Sequence, residues 1–133
     1  MMRPSPSPRF LRARVLRHPP SIDAYGGGGF RVSGQRQEGS LLILDDAAQP
    51  WQATSLEALT PDHLAPVFAA QLGTVEFVLL GTGAVQALPP RSVRDALQRA
   101  GIGLEFMDTA TAARMYNVLA AEGRRLAAAL IAI

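Results

Sequence analysis

From Asp108 to Arg124 the chain places a carboxylate, a hydroxyl, a guanidinium, a phenol, an amide, a second carboxylate and a second guanidinium close together. The residues are Asp108, Thr109, Arg114, Tyr116, Asn117, Glu122 and Arg124. At helical spacing Arg114, Asn117 and Ala121 share one stripe, and Tyr116, Leu119 and Gly123 share its neighbour. Glu122 lies two turns beyond Arg114 on the same side, so Arg114, Asn117 and Glu122 could form a polar network reaching back to Asp108, with the Tyr116 hydroxyl alongside. Such a network has two readings. As structure, satisfied buried polar groups fix how a helix docks on a sheet, and breaking one partner costs about 3 kcal/mol or more. As function, it lines a polar cleft for an anionic small molecule or a partner's side chain.

A second constellation is the turn Gly81-Thr82-Gly83, which ends the apolar run VEFVLL, while Asp108-Thr109 ends a later one. In open α/β sheets ligands bind outside the carboxyl ends of the strands. Glycines there let backbone approach a ligand closely, and a helix beginning after Asp108 offers free N–H groups to an anion. The plainer reading is that a turn needs Gly, and that Asp or Thr before a helix is a cap. No dinucleotide fingerprint is present, because the third glycine position is Gln86.

Catalytic chemistry has little else to draw on. His18 and His63 are the only imidazoles, one in an N-terminal arm and one in a first helical turn, so a Ser-His-Asp triad has no support. Asp45-Asp46 alone makes no metal site, and the absence of cysteine removes thiolate nucleophiles, disulfides and Cys-based zinc. No cofactor is expected, and a non-enzymatic role is favoured over catalysis because an activated acid, base or nucleophile is missing from the pattern.

The elements that must position these residues follow from apolar period and punctuation. Residues 29 to 44 read as a β-hairpin, with Phe30 and Val32 alternating with polar neighbours, GQRQEG as the turn and SLLIL as the second strand. Gly26 to Gly29, after Tyr25, read as a bend into that hairpin, not as a phosphate loop, which would need a following Lys-Ser/Thr and a helix. Asp45 to Pro50 read as a turn, and Trp51 as the start of a short strand or as a ring packed on the sheet, its indole N–H needing an acceptor. Thr60-Pro61 opens a helix with Leu64, Val67, Phe68 and Leu72 on one face, kinked or divided by Pro66 and stopped by Gly73. Val75 to Leu80 has the continuous apolar pattern of a strand covered on both sides. A helix follows Pro89-Pro90, with Val93, Ala96, Leu97 and Ala100 inward and Gly101 as its stop. A strand at Leu104 to Met107 and a helix from about Thr111 to Gly123 complete a right-handed crossover with two parallel strands. The tail LAAALIAI suits helix by its Ala and strand by its Leu-Ile-x-Ile, and Gly123 favours a break and a terminal strand.

A chain of 133 residues, 48% hydrophobic, has the size and apolar content of one globular domain. Its apolar runs fall short of the roughly 18 residues of a spanning helix. Residues 1 to 20 read as a flexible Arg- and Pro-rich arm with five Arg and no acid, and 21 to 133 as the domain, where 8 Arg face 11 acids. A mildly acidic body argues against specific nucleic-acid binding despite the pI of 9.9. The arm has the composition of a mitochondrial targeting segment, but Pro4, Pro6 and Pro8 interrupt an amphipathic helix, and no secretory apolar region is present. Basic residues that are all Arg, with abundant Ala, Gly and Pro, suit a GC-rich bacterial genome. Cytoplasm is therefore the expected location, or the mitochondrial matrix should the arm be a targeting segment.

The segments VEFVLLGTG and MDTATAARMYNVLAAEGRR together resemble a small uncharacterised-domain family. Its members include a mitochondrial respiratory complex I assembly factor and related bacterial and archaeal proteins. Asp108-Thr109, Arg114, Tyr116-Asn117 and Glu122-Gly123-Arg124 match elements of that family, and the similarity runs over roughly Ile22 to Ile133. It implies a three-layer α/β domain, with a mixed central sheet and a hairpin packed alongside, and no established reaction. It also implies a protein partner, and peripheral association with an inner-membrane complex. The alternative it leaves open is a small-molecule or anion site between Gly81–Gly83 and Asp108–Arg114.

Overall fold

Apolar runs in which every residue is buried need cover on both faces, and among the described residues two sheets and three helices supply it. The computed structural model describes residues 18–70 and 74–133. A three-stranded antiparallel sheet comprises β1 (Ile22–Gly26), β2 (Gly29–Val32) and β3 (Gln35–Glu38). A five-stranded mixed sheet comprises β4 (Ser40–Leu44), β5 (Ala47–Trp51), β6 (Phe77–Gly81), β7 (Gly103–Met107) and β8 (Leu126–Leu130), in the order β5-β4-β8-β6-β7. In it β6 runs parallel to β7 and β8, and β4 runs antiparallel to β8 and β5. A 3-10 turn (Pro61–Leu64) leads into α1 (Ala65–Ala69); α2 (Arg91–Arg99) and α3 (Thr109–Ala121) follow.

Strand alternation divides the core in two. Leu41, Ile43, Phe77, Leu79, Ala128 and Leu130 face α3, through Ala112, Ala113, Tyr116 and Ala120, and the small sheet, through Ile22, Phe30 and Val32. Leu42, Val78, Leu80, Ala127 and Ala129 face the other way, toward Trp51, Leu64, Val67, Val93 and Leu97. This is the expected three-layer α/β domain, and β6-α2-β7 is its parallel unit. The alanines of β8 are fully buried in the middle strand. Their small side chains let the covering layers approach, which overrides their helix propensity. Gly123, at φ 82, ends α3: its N–H donates to Ala120 and that of Arg124 to Leu119, a paired closure that frees the chain to turn into β8.

Several boundaries differ from expectation. GQRQEG is not a turn: Gln35–Glu38 is β3, and the turn is Ser33-Gly34, both at positive φ, joining Val32 to Gln35. A polar edge strand shows no apolar alternation, which hid it. SLLIL consequently belongs to the large sheet, not to the hairpin. Of the glycines after Tyr25, Gly27 and Gly28 are the turn between β1 and β2, with Ile22–Gly26 a strand in its own right. Asp45 to Pro50 shrinks to the two-residue turn Asp45-Asp46, at φ 54 and 63; Trp51 ends β5 and does not begin a strand, and its ring packs into the core, the other of the two expected placements. Pro50 is tolerated because β5 is an edge strand. The Trp51 indole donates to the His63 carbonyl at 2.7 Å. Pro66 divides the first helix as expected, while Leu72 and Gly73 lie outside the described residues, as does most of the arm. On α2, Val93 and Leu97 are buried, but Ala96 is half-buried and Ala100 exposed.

Candidate functional site

The carboxyl ends of β6 and β7 and the start of α3 meet as expected, and they meet in direct contact. Thr109 is fully buried. Its hydroxyl donates to the Ile131 carbonyl at 2.7 Å and accepts from the Gly83 N–H at 2.9 Å. The Thr109 N–H donates in turn to the Gly83 carbonyl at 2.8 Å, and the Ile131 N–H to the Gly81 carbonyl at 3.0 Å. Gly81 leaves room for this knot: a Cβ there would lie 2.8 Å from Thr109 Oγ1 and 2.9 Å from Leu130 Cδ2. The close approach that a glycine permits is therefore made by Thr109. Thr82 donates its hydroxyl to the Val85 carbonyl at 2.6 Å, with the Met107 carbonyl at 3.2 Å. That bond holds the loop after β6 in place.

Asp108 caps α3. Its carboxylate accepts from the Thr111 N–H at 3.0 Å and the Thr111 hydroxyl at 2.7 Å. The Thr111 hydroxyl, then its N–H, hold the Asp108 carboxyl below the usual carboxylate range, and the Arg114 charge adds a smaller push. A depressed folded-state pKa contributes stability above the ordinary value of 3.8, and that stability is lost as pH falls through the folded value. Asp108→Asn keeps an acceptor for the cap and loses the charge. Denaturant unfolding from about pH 2 to about pH 6 is expected to show a shallower acid limb for the variant than for the wild type. The limb is not abolished, because Asp23 and Glu38 are also held low, by the Ser21 hydroxyl and the Arg36 guanidinium.

The single network expected among Asp108, Arg114, Asn117 and Glu122 does not form. Arg114 donates to the Tyr25 hydroxyl at 2.7 Å. Asn117 uses both ends of its amide on one residue of β1, accepting from the Ile22 N–H and donating to the Ile22 carbonyl, each at 2.8 Å. The Tyr116 ring is buried, and its hydroxyl donates to the Pro20 carbonyl at 2.9 Å. These three side chains clamp the segment from Pro20 to Tyr25 onto α3, because the outer edge of β1 has no strand to satisfy it. Glu122 sits exposed where α3 ends. Arg124 lies over the Phe77 ring at 5.1 Å and 3.7 Å from Glu76. Tyr25, Ile22 and Pro20 were invisible as partners because their contributions lie about ninety residues away and are mostly backbone.

Beside this knot lies an open hollow of about 270 Å³, bounded by Thr54 to Glu57 on one side and by Thr82, Gly83, Val85 and Ala87 on the other. Thr82 and Gly83 are the expected site residues that line it. The 54–57 wall carries no periodic signal in the sequence. Among the described residues, no group of three His, Asp or Glu could hold a metal ion, and no helix is long and apolar enough to cross a membrane.

Fold and site together define a three-layer α/β domain whose strand-end polar groups are bonded within the chain. The chain belongs to the family described as protein of unknown function (DUF498/DUF598), whose model matches residues 22–131. An uncharacterized protein of Rhodobacter capsulatus is 44% identical over 110 residues, covering 83% of this chain and 82% of that one. The Bos taurus NADH dehydrogenase [ubiquinone] 1 alpha subcomplex assembly factor 3 is 34% identical over 111 residues. That match covers 83% of this chain and 59% of the assembly factor, so this chain spans about three-fifths of that relative's length. The crystal structure of an outer membrane protein from Bartonella henselae superposes with a TM-score of 0.78 at 33% identity, covering 87% of this chain and 97% of that one.

Proposed function

We propose that this domain is a non-enzymatic interaction module that assists assembly of a respiratory or other membrane complex. The observation that carries the reading is the 34% identity, over nearly the whole domain, to a protein named as a complex I assembly factor. The inward bonding of Thr82, Thr109, Tyr116 and Asn117 supports it, since these polar groups shape a surface and are not aimed at a reacting atom. Residues 21–133 act as the folding unit, with residues 1–20 as an arm. The domain works in the cytoplasm, or in the matrix should the arm be a targeting segment, against a protein partner at the membrane face. Deleting the gene in its host tests this. Mature NADH dehydrogenase complex is expected to fall several-fold, with subcomplexes accumulating on native gels and recovery on re-expression. Unchanged complex in the deletion strain overturns the proposal.

A second reading, a small-molecule or anion site, draws on the hollow between Thr54–Glu57 and Thr82–Ala87. Its support is that Thr82 and Gly83, which line the hollow, follow the carboxyl end of β6, the edge at which α/β domains bind ligands.

A further inference from the structure

The buried side of α3 is accounted for by Thr109, Ala112, Ala113, Tyr116 and Ala120, while the opposite side is exposed among the described residues. At 3.6 residues per turn, the solvent face centres on Val118, with Arg114, Met115, Ala121 and Glu122 around it. All five are exposed, Met115 at 39% and Val118 at 54%. An apolar strip on an exposed helix face, bounded by opposite charges, is the pattern of a docking surface. Arg114 sits at its amino-terminal end, its guanidinium held in place by the Tyr25 hydroxyl. Glu122 sits at the carboxyl-terminal end. Arg124 is drawn away by Phe77 and Glu76.

This arrangement is complementary to itself. A two-fold axis through Val118 sets Val118 against its copy, Met115 against Ala121, and Arg114 against Glu122, twice over, with the two helix dipoles antiparallel. We propose that two copies of this chain associate through α3 in this antiparallel pairing, with Met115, Val118 and Ala121 as the apolar centre and two Arg114–Glu122 pairs at the ends. One helix face is a small interface, so the dimer is expected in the micromolar to sub-millimolar range. The inference does not depend on the assembly reading, since self-association and complex assembly are measured separately.

Sedimentation velocity of the full chain, from about 10 μM to about 1 mM, is the experiment. The wild type is expected to shift from monomer to dimer. Arg114→Glu and Glu122→Arg each place like charges at both ends, and each is expected to weaken the dimer about tenfold or more. Mixing the two variants restores opposite charges at both ends, so an equimolar mixture is expected to recover association that neither shows alone. Because Arg114 also holds Tyr25, Val118→Glu serves as a second variant with no such contact, and it is expected to stay monomeric with an unchanged melting curve. A wild type that remains monomeric to about 1 mM overturns the proposal. So do reversals that dimerise like the wild type, or a mixture of folded variants that fails to recover.

Discussion

Thr109→Val is expected to lower stability by about 2–5 kcal/mol while leaving side-chain volume nearly unchanged. The hydroxyl is fully buried and serves two backbone groups, the Gly83 N–H and the Ile131 carbonyl. Valine serves neither, and each buried polar group left unpaired costs about 1–3 kcal/mol. For a domain of this size the melting temperature should fall by roughly 10 °C. Thr109→Ser retains the hydroxyl and loses a methyl, so it should recover most of the difference. The contrast separates hydrogen bonding from packing: a Thr109→Val protein as stable as the wild type, with Thr109→Ser the less stable of the two variants, would show that the knot is held by packing alone. The knot joins the end of β6, the start of α3 and the residue after β8, so its loss should appear as one cooperative change in melting.

How far the sequence revealed this arrangement depends on what kind of group carries each contact. The β6 and β7 strands and the two long helices were legible, because their apolar runs and their Pro, Asp and Gly boundaries report burial and capping directly, whereas β8 was decided only by Gly123, its alanines suiting a helix as well. β1, β3 and β5 were not legible. They are edge strands with polar or mixed faces, and their turns at Ser33-Gly34 and Asp45-Asp46 use left-handed residues without the usual Asn-Gly signal. The meeting of Gly81–Gly83 with Asp108-Thr109 was legible because parallel strands must bring their carboxyl ends together. Its filling by Thr109 was not, since a hydroxyl bonded to backbone looks the same in sequence as one aimed at a ligand. Arg114, Tyr116 and Asn117 share a helix, yet each reaches into the segment Pro20 to Tyr25, and no local spacing encodes that choice. The division of labour on α3 follows from this. One flank clamps β1, and the face centred on Val118 is left for association.

Gly81→Ala tests the filling of the strand-end site from the other side of the contact. A Cβ at this position would lie 2.8 Å from Thr109 Oγ1, 2.9 Å from Leu130 Cδ2 and 3.0 Å from Thr109 Cα. Leu130 can rotate, but the Thr109 Cα is backbone at the start of α3 and can move only with the helix. Overpacking of this kind costs about 1–3 kcal/mol, and any shift of the helix start also lengthens the bonds of the Thr109 hydroxyl. The two sites should therefore couple. In a Thr109→Ala background the hydroxyl obstruction is absent and its bonds are already lost, so adding Gly81→Ala should cost less than it does in the wild type. A double-mutant cycle read by denaturant unfolding is expected to give a coupling of about 1 kcal/mol, within the range for residues in contact. Additive losses would mean that the backbone contact with Thr109 Cα dominates. A Gly81→Ala protein as stable as the wild type would show that the strand end has space to spare, and would return weight to a ligand lying between Gly81 and Thr109.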